Sequence, residues 1–491
     1  MTFNHHQYSR KDIARIATHA MIERGLEPEF SKAAIQQVER ITKPGEDSDP
    51  NIFDLTDLLW CSLDNDDSMD LDQLTVAELL KNGLIKIFVA IADVDSVVKK
   101  DTPIDEHARM NAASIYTSAR IFPMLPEKLS TNLTSLNPDE DRLAIVVEMV
   151  IDKEGYVTAP QVYRAKVRNK AKLAYDAISD WIDGKITPPE ALGKVKGMAE
   201  QLQIQDKTAQ IIRKRRRAQG SLELEIFEPK AIFEGERVVG IVQQVQNRGR
   251  QLIEEFMIAT NECTAKFLAA QGHSSLRRVV RSPENWMRIV EVAKKHGETL
   301  PGQPDSKALS LFLAKQHKLD PLRFPDLSLV IVKLMGSGEY VVERPNSEPI
   351  GHFGLAVRDY THSTAPNRRY PDLITLRMIK SALQGIAPAY SDGDLSLLAD
   401  HCSRQEDAAR KVERRVRKSE AALVLSSHIN QTFDAIVTGK SITATWVRIF
   451  DMPIEGLLSD GVDDLEVGRR VRVRLISTNV EKGFIDFCRV D

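Results

Sequence analysis

Hydrophobic positions along the chain change their spacing several times, and each change marks a boundary. Between residues 10 and 41 the period is helical. Ile13, Ile16, Ala17, Ala20 and Met21 recur at three- and four-residue intervals, Gly25 stops this stretch, and Ser31 can cap a second carrying Ile35, Val38 and Ile41. Lys43-Pro44-Gly45 then breaks the pattern. A helical region is therefore predicted over 1–49, fitting either a winged-helix element or an arm packed on the main domain. Residues 85–94 and 143–152 are nearly unbroken apolar runs rich in β-branched residues, which predict buried strands. Residues 252–270 and 373–383 return to helical spacing. Strands and helices are mixed without a repeating βα unit, so the prediction over 50–386 is one large α+β domain.

Beyond Pro388 a densely charged helix is predicted from about residue 400 to residue 428, with a thin apolar stripe of Ala408, Val412, Val416 and Leu423. It fills a helical connection over 387–432. The remainder, 433–491, alternates short β-runs (435–437, 442–450, 471–476, 484–487) with Gly439, Gly456, Gly461, Gly468 and Gly483. That rhythm predicts a small antiparallel barrel, taken here as five-stranded.

Composition narrows the class. With 491 residues, 42% hydrophobic and 28% charged, the chain has ample core for several domains. The net charge of −3 announces no polyanion partner, but its distribution is uneven. Glu46 to Glu78 holds eleven acidic residues and no Lys or Arg, whereas Arg213 to Arg217 and Arg404 to Lys418 are basic. Local patches, not the sum, steer a charged ligand. Cys61, Cys263, Cys402 and Cys488 show no paired spacing, which argues against a disulfide framework or zinc module. No apolar run approaches membrane-spanning length, so a cytoplasmic protein with no membrane partner is expected.

Two stretches carry chemistry. In Ser62-Leu63-Asp64-Asn65-Asp66-Asp67-Ser68-Met69-Asp70-Leu71-Asp72-Gln73-Leu74, five carboxylates fall within nine residues. Such crowding is either a solvated acidic loop or a nest of hard oxygen ligands for a divalent cation. The second is Tyr360-Thr361-His362-Ser363-Thr364-Ala365-Pro366-Asn367-Arg368-Arg369-Tyr370-Pro371-Asp372-Leu373. Its prolines limit helix, and its arginines between tyrosines suit either phosphate clamping and base stacking or a turn held by Arg–Asp pairing. Metal ligands together with fixed guanidinium groups are what phosphodiester hydrolysis needs.

These two stretches resemble the catalytic RNB domain of the ribonuclease II family. Phe122-Pro123-Met124-Leu125-Pro126-Glu127-Lys128-Leu129-Ser130, Ser135-Leu136-Asn137-Pro138, Gly220-Ser221-Leu222-Glu223, Leu252-Ile253-Glu254-Glu255-Phe256-Met257 and His352-Phe353-Gly354-Leu355 agree with it in order. The terminal barrel resembles an S1-type OB-fold, the RNA-binding module that commonly follows. The resemblance implies a metal-dependent exoribonuclease that enters single-stranded RNA at its 3′ end and releases nucleoside 5′-monophosphates. It implies one or two Mg²⁺ ions, with Mn²⁺ as a substitute, held by Asp64, Asp70, Asp72 and the residue at position 73. Asp70, Asp72 and Arg368 would be catalytic, Tyr116 would stack on the terminal base, and Arg368, Arg369 and Lys333 would contact RNA. A monomer is expected; protein partners are not indicated.

The chain also departs from the family. Gln73 stands where a fourth aspartate is usual, so either metal affinity falls or Asp66 or Asp67 takes over. Ser363, Ala365 and Asn367 drift from the second motif. The residues before 50 are too few for the paired cold-shock barrels often found there, so an RNA funnel built from the N-terminal helices and the barrel is expected. Gln73 motivates the alternative: a catalytically weakened RNB protein that binds RNA as a regulator.

Overall fold

The computed structural model describes residues 8–225, 229–243, 246–441, 443–450, 452–462 and 464–490. Its centre is a seven-stranded sheet formed from β1 (Phe53–Asp54), β2 (Cys61–Asp64), β3 (Gln73–Leu79), β4 (Ile85–Ala92), β7 (Asp141–Ile151), β8 (Val157–Arg168) and β9 (Ala171–Ala174). A small hairpin, β5 (Ile115–Tyr116) and β6 (Ile121–Phe122), lies outside it. The spatial order is β1-β8-β7-β4-β3-β2-β9; β4 is central and buried along its last six residues, as an unbroken apolar run requires. Helices Met198–Gln219 and Arg248–Ala270 cover the sheet, placing Leu202, Ala209 and Ile212 and then Leu252, Phe256 and Ala259 in the same core as Val76, Val89 and Val147.

One seam of this sheet is incomplete. β2 and β3 pair only at Cys61↔Thr75, so beyond that point β3 lacks a partner on one side. Two glutamines on helix Met198–Gln219 satisfy what the seam exposes. Gln201 Oε1 accepts the Ala77 N–H at 3.0 Å, and Gln205 Oε1 accepts the Thr75 hydroxyl at 2.7 Å. Gln201 also donates to the Leu59 carbonyl at 3.1 Å, bridging the two strands at the end of the seam away from the acidic segment that joins β2 to β3.

The N-terminal helices, Arg10–Ile22 and Lys32–Arg40, form an arm: the first packs on the long helix Asp392–Leu425, the second on helix Pro103–Asn111. Ser31 caps the second by accepting the Ala34 N–H. The long helix starts well before residue 400, because Ser391 and Asp394 form a capping box there. Pro371, read as limiting helix, instead lies in the first turn of helix Tyr370–Gln384, where its missing N–H costs nothing.

Two further antiparallel pairs follow, the hairpin β10 (Pro229–Glu234) with β11 (Arg237–Gln243), and β12 (Ser275–Val279) with the distant β13 (Glu339–Glu343). The chain ends in a closed barrel of β14 (Thr432–Lys440), β15 (Thr445–Ile449), β16 (Glu455–Asp460), β17 (Arg470–Asn479) and β18 (Phe484–Arg489), ordered β14-β15-β16-β18-β17. Ile442, at the start of one expected β-run, lies outside the described residues. β16 was absent from the expected runs; it is short and pairs parallel with β18. Gly456 makes that closure possible, since a Cβ there would meet the Phe487 ring at 2.5 Å and the Ile485 carbonyl at 2.8 Å. Arg448 of the barrel reaches Asp326 at 2.7 Å, joining barrel and main domain through a largely buried ion pair.

Trp60 is fully buried one residue before β2, with its indole N–H donating to the Leu55 carbonyl at 2.8 Å. Trp60→Ala should destabilise the chain by about 3–5 kcal/mol in denaturant titration. A loss under ~1 kcal/mol would mean this core does not anchor the strand.

Candidate active site

The segment between β2 and β3 is fixed at three places. Asp64, the last residue of β2, accepts the Asn65 N–H at 2.7 Å and the Ser68 hydroxyl at 2.9 Å through Oδ1. Midway, Ser135 staples the loop: its Oγ accepts the Leu71 N–H at 3.0 Å and donates to the Met69 carbonyl at 2.8 Å, while Leu136 N–H donates to the Leu71 carbonyl. At the far end, the Asp72 carbonyl accepts the Ala92 N–H at 3.0 Å. The Ser135-Leu136 stretch, noted in the sequence as a motif, therefore acts by backbone stapling.

Asp72 is 2% exposed. Its Oδ1 accepts the Asn367 backbone N–H at 2.9 Å, and its Oδ2 has no hydrogen-bond donor, with Arg368 Nε 3.6 Å away. Burial pushes its carboxyl up to about 8; Arg368 opposes the shift and Asp70 adds to it. Asp64 is raised too, again first by burial. Asp70 accepts the Tyr116 hydroxyl at 2.6 Å, and Tyr116 remains 39% exposed beside the nest. Its backbone N–H faces Glu413 of the long helix at 3.3 Å. Gln73 opens β3 opposite Ile91, half-buried, and directly follows Asp72.

The two adjacent arginines divide their work. Arg368 faces Asp72, whereas Arg369 turns the other way and its Nη2 donates to Asp372 at 2.7 Å. Arg369 thus holds the turn by Arg–Asp pairing and is not brought to the nest. Lys333 is not brought there either. It stands exposed on helix Phe324–Met335, which packs on helices Trp286–Lys295 and Ser306–Leu319. The basic run near residue 215 is partly paired within the chain: Arg213 and Arg217 share Glu223, and Arg216 meets Glu255.

Sequence reading missed two neighbours. Tyr175 directly follows β9, which runs parallel to β2, so it emerges beside Asp64 at the carboxyl ends of two parallel strands. Burial and then Asp64 raise its phenol. The Arg250 guanidinium lies 4.7 Å from the Tyr175 ring centroid. Neither belongs to a local pattern; only the parallel pairing of β2 and β9 joins them to the nest.

Among the described residues, no three His, Cys, Asp or Glu side chains are already drawn together as a cation cage. The nest nevertheless suits a hard cation. Asp72 Oδ2 is buried and unmatched, and burial disfavours the charge on both Asp64 and Asp72, so negative charge there is under-compensated.

The main domain is thus an α+β sheet with a buried aspartate, an arginine and two tyrosines gathered at one end, and a closed five-stranded barrel follows it. The chain matches the sequence model of the RNB domain over residues 53–385, and the RNase II-type exonuclease C-terminal S1 domain over residues 431–490. It belongs to the RNB family. Ribonuclease R 1 of Lactococcus lactis is 30% identical over 444 residues, 88% of this chain and 53% of that protein. Ribonuclease R of Escherichia coli is 29% identical over 479 residues, 90% of this chain and 58% of that protein. The chain thus spans little more than half the length of these curated relatives. Apo RNase R of Mycoplasma genitalium shares the fold, with a TM-score of 0.88 at 22% identity over 98% of this chain and 78% of the other. So does yeast Ssd1, a pseudonuclease, with a TM-score of 0.73 at 14% identity over 91% and 56% of the two chains.

The raised Asp72 carboxyl has a consequence for stability. In the unfolded chain it ionises near 3.9, in the fold near 8, so the folded form holds its proton between these values. Its contribution to stability is fully present below about pH 3.9 and falls as pH rises through 8. In metal-free buffer, Asp72→Asn should therefore melt increasingly above wild type as pH rises from 4 to 8, then level off. A pH-independent difference in melting temperature would refute the buried-acid assignment.

Proposed function

We propose that this chain is a metal-dependent 3′→5′ exoribonuclease that hydrolyses single-stranded RNA to nucleoside 5′-monophosphates. The observation that carries the reading is Asp72, buried with one unmatched oxygen and faced by Arg368. Asp64, Asp70 and Asp72, with the amide oxygen of Gln73, would hold Mg²⁺, for which Mn²⁺ can stand in. Such an ion lowers the pKa of bound water and neutralises phosphate charge.

The chain's own groups do the positioning. The Asn367 N–H holds the Asp72 carboxylate so that Oδ2 stays free, and the Tyr116 hydroxyl orients Asp70. Arg368, half exposed, supplies a guanidinium to a phosphate entering beside Asp72. The accessible Tyr116 ring offers a stacking face that is indifferent to base identity, which suits an enzyme that must accept every nucleotide. The S1-type barrel adds RNA affinity. Mycoplasma genitalium RNase R has been solved with ribose-methylated single-stranded RNA and with double-stranded RNA, which supports RNA as the substrate class. All four cysteines are free and buried, which suits the reducing cytoplasm. Among the described residues no helix is long and apolar enough to cross a membrane. The working state is taken as a monomer. The regulator reading rests on Gln73 alone and has less support.

The test is 5′-labelled single-stranded RNA with Mg²⁺ and an EDTA control. A progressive ladder supports the enzyme; a stable complex without products supports the regulator. Asp72→Asn should cut turnover more than about a hundredfold with RNA affinity nearly unchanged, and wild-type turnover in that variant would sink the assignment.

Gln73→Asp should lower the Mg²⁺ concentration for half-maximal activity, because a carboxylate replaces a neutral oxygen. A raised requirement would show that added charge crowds the nest instead. An identical titration curve would remove residue 73 from the metal's surroundings.

A further inference from the structure

Helix Arg248–Ala270 begins beside the acidic loop, and its first turn is tied down from several sides. Asn247 caps it by accepting the Arg250 N–H at 3.0 Å, while its amide donates to Asp176 at 2.6 Å. Gly249 N–H donates to the Ser179 hydroxyl at 2.8 Å. The approach is so close that a Cβ on Gly249 would meet the Tyr175 carbonyl at 2.9 Å. This turn is therefore locked against the segment that starts with Tyr175.

Arg250 projects from that locked turn toward the nest. Its guanidinium lies against the Tyr175 ring, and its Nη2 donates to Asn65 Oδ1 at 2.7 Å. Asn65 in turn donates its backbone N–H to Asp64 Oδ1, and its carbonyl accepts the Ser68 N–H at 3.1 Å. The Ser68 hydroxyl completes the ring by donating to the same Asp64 oxygen. One planar cation thus spans an aromatic wall and the residue that orients a nest carboxylate. A guanidinium can do both because its face stacks while its edge donates.

We propose that Arg250 is a positioning residue for the nest: through Asn65 it sets the Asp64 carboxylate, and against Tyr175 it sets the wall beside it. Its first role concerns the carboxylate nest alone. The second rests on the exoribonuclease reading, in which that wall borders the RNA terminus. Partners of this kind, one bond removed from a ligand, typically govern metal affinity or activity by about 10–100-fold.

The experiment uses the full chain and Mn²⁺ alone as probe, counting free ion by electron paramagnetic resonance without RNA. Arg250→Met and Asn65→Ala should each weaken Mn²⁺ binding by about tenfold. Because both cut the same link, the double variant should bind no more weakly than either single one. Arg250→Lys should stay impaired, since an ammonium keeps the charge but lacks the planar face and edge. Wild-type affinity in Arg250→Met, simple addition of the two penalties, full rescue by lysine, or no Mn²⁺ binding by the wild type would each overturn the proposal. Should the methionine variant fail to fold, as a melting curve reveals, Asn65→Ala and Arg250→Lys decide by the same criteria. RNA cleavage is read separately. A wild-type protein that binds Mn²⁺ yet leaves RNA intact defeats the exoribonuclease reading while the Mn²⁺ cycle still judges Arg250.

Discussion

A carboxylate held out of water with one oxygen unmatched is the constraint around which this fold is arranged. Moving a charge of that size into a protein interior costs several kcal/mol unless opposite charge or hydrogen bonds compensate. Asp72 receives one backbone N–H and a guanidinium 3.6 Å away, and no more. The remainder of the cost appears as the raised pKa: without a metal cation beside it the group keeps its proton at neutral pH. Structures keep such a group when it has work to do, and perturbed acids in a walled site mark chemistry more often than architecture.

The scaffold concentrates its irregularities in the same place. The sheet is interrupted where β2 and β3 part, and there Gln201 takes over a backbone hydrogen bond that a neighbouring strand would otherwise make, while Gln205 accepts the Thr75 hydroxyl. The acidic loop leaves from the other end of this seam and is stapled by Ser135 and Leu136. Regular pairing on both flanks, β4 with β7 and β2 with β9, makes the gap rigid instead of loose.

What the chain disclosed before folding followed the range of its interactions. The two buried strands, the arm helices and the barrel's apolar alternation depend on local periodicity, and each is visible in the sequence. So are Asp64, Asp70 and Asp72, because they lie in one short segment and match a family pattern. The early start of helix Asp392–Leu425 was overlooked although Leu395, Leu398, Ala399 and Cys402 already repeat at helical spacing there, behind a capping box at Ser391 and Asp394. Tyr175 and Arg250, by contrast, were hidden: they reach the nest through strand pairing and helix docking over long separations, which leave no local signature. Arg368 and Arg369 are neighbours of identical type, and only the turn's geometry separates one that faces Asp72 from one that closes the turn.

The contact between Asp72 and residue 367 is made by a backbone N–H, while the Asn367 side chain points elsewhere and accepts the Thr134 hydroxyl at 2.6 Å. The hydrogen bond to the acid thus depends on the conformation of the turn, which the buried Asn367 side chain helps to hold through Thr134. The Ser363 and Ala365 amides also donate from the backbone, to Asn261 and Asp372, and the Ser363 hydroxyl adds a bond of its own to Asn261. A motif can thus lose its familiar letters while its electrostatic task survives, and divergence in spelling here is a poor clock for loss of function.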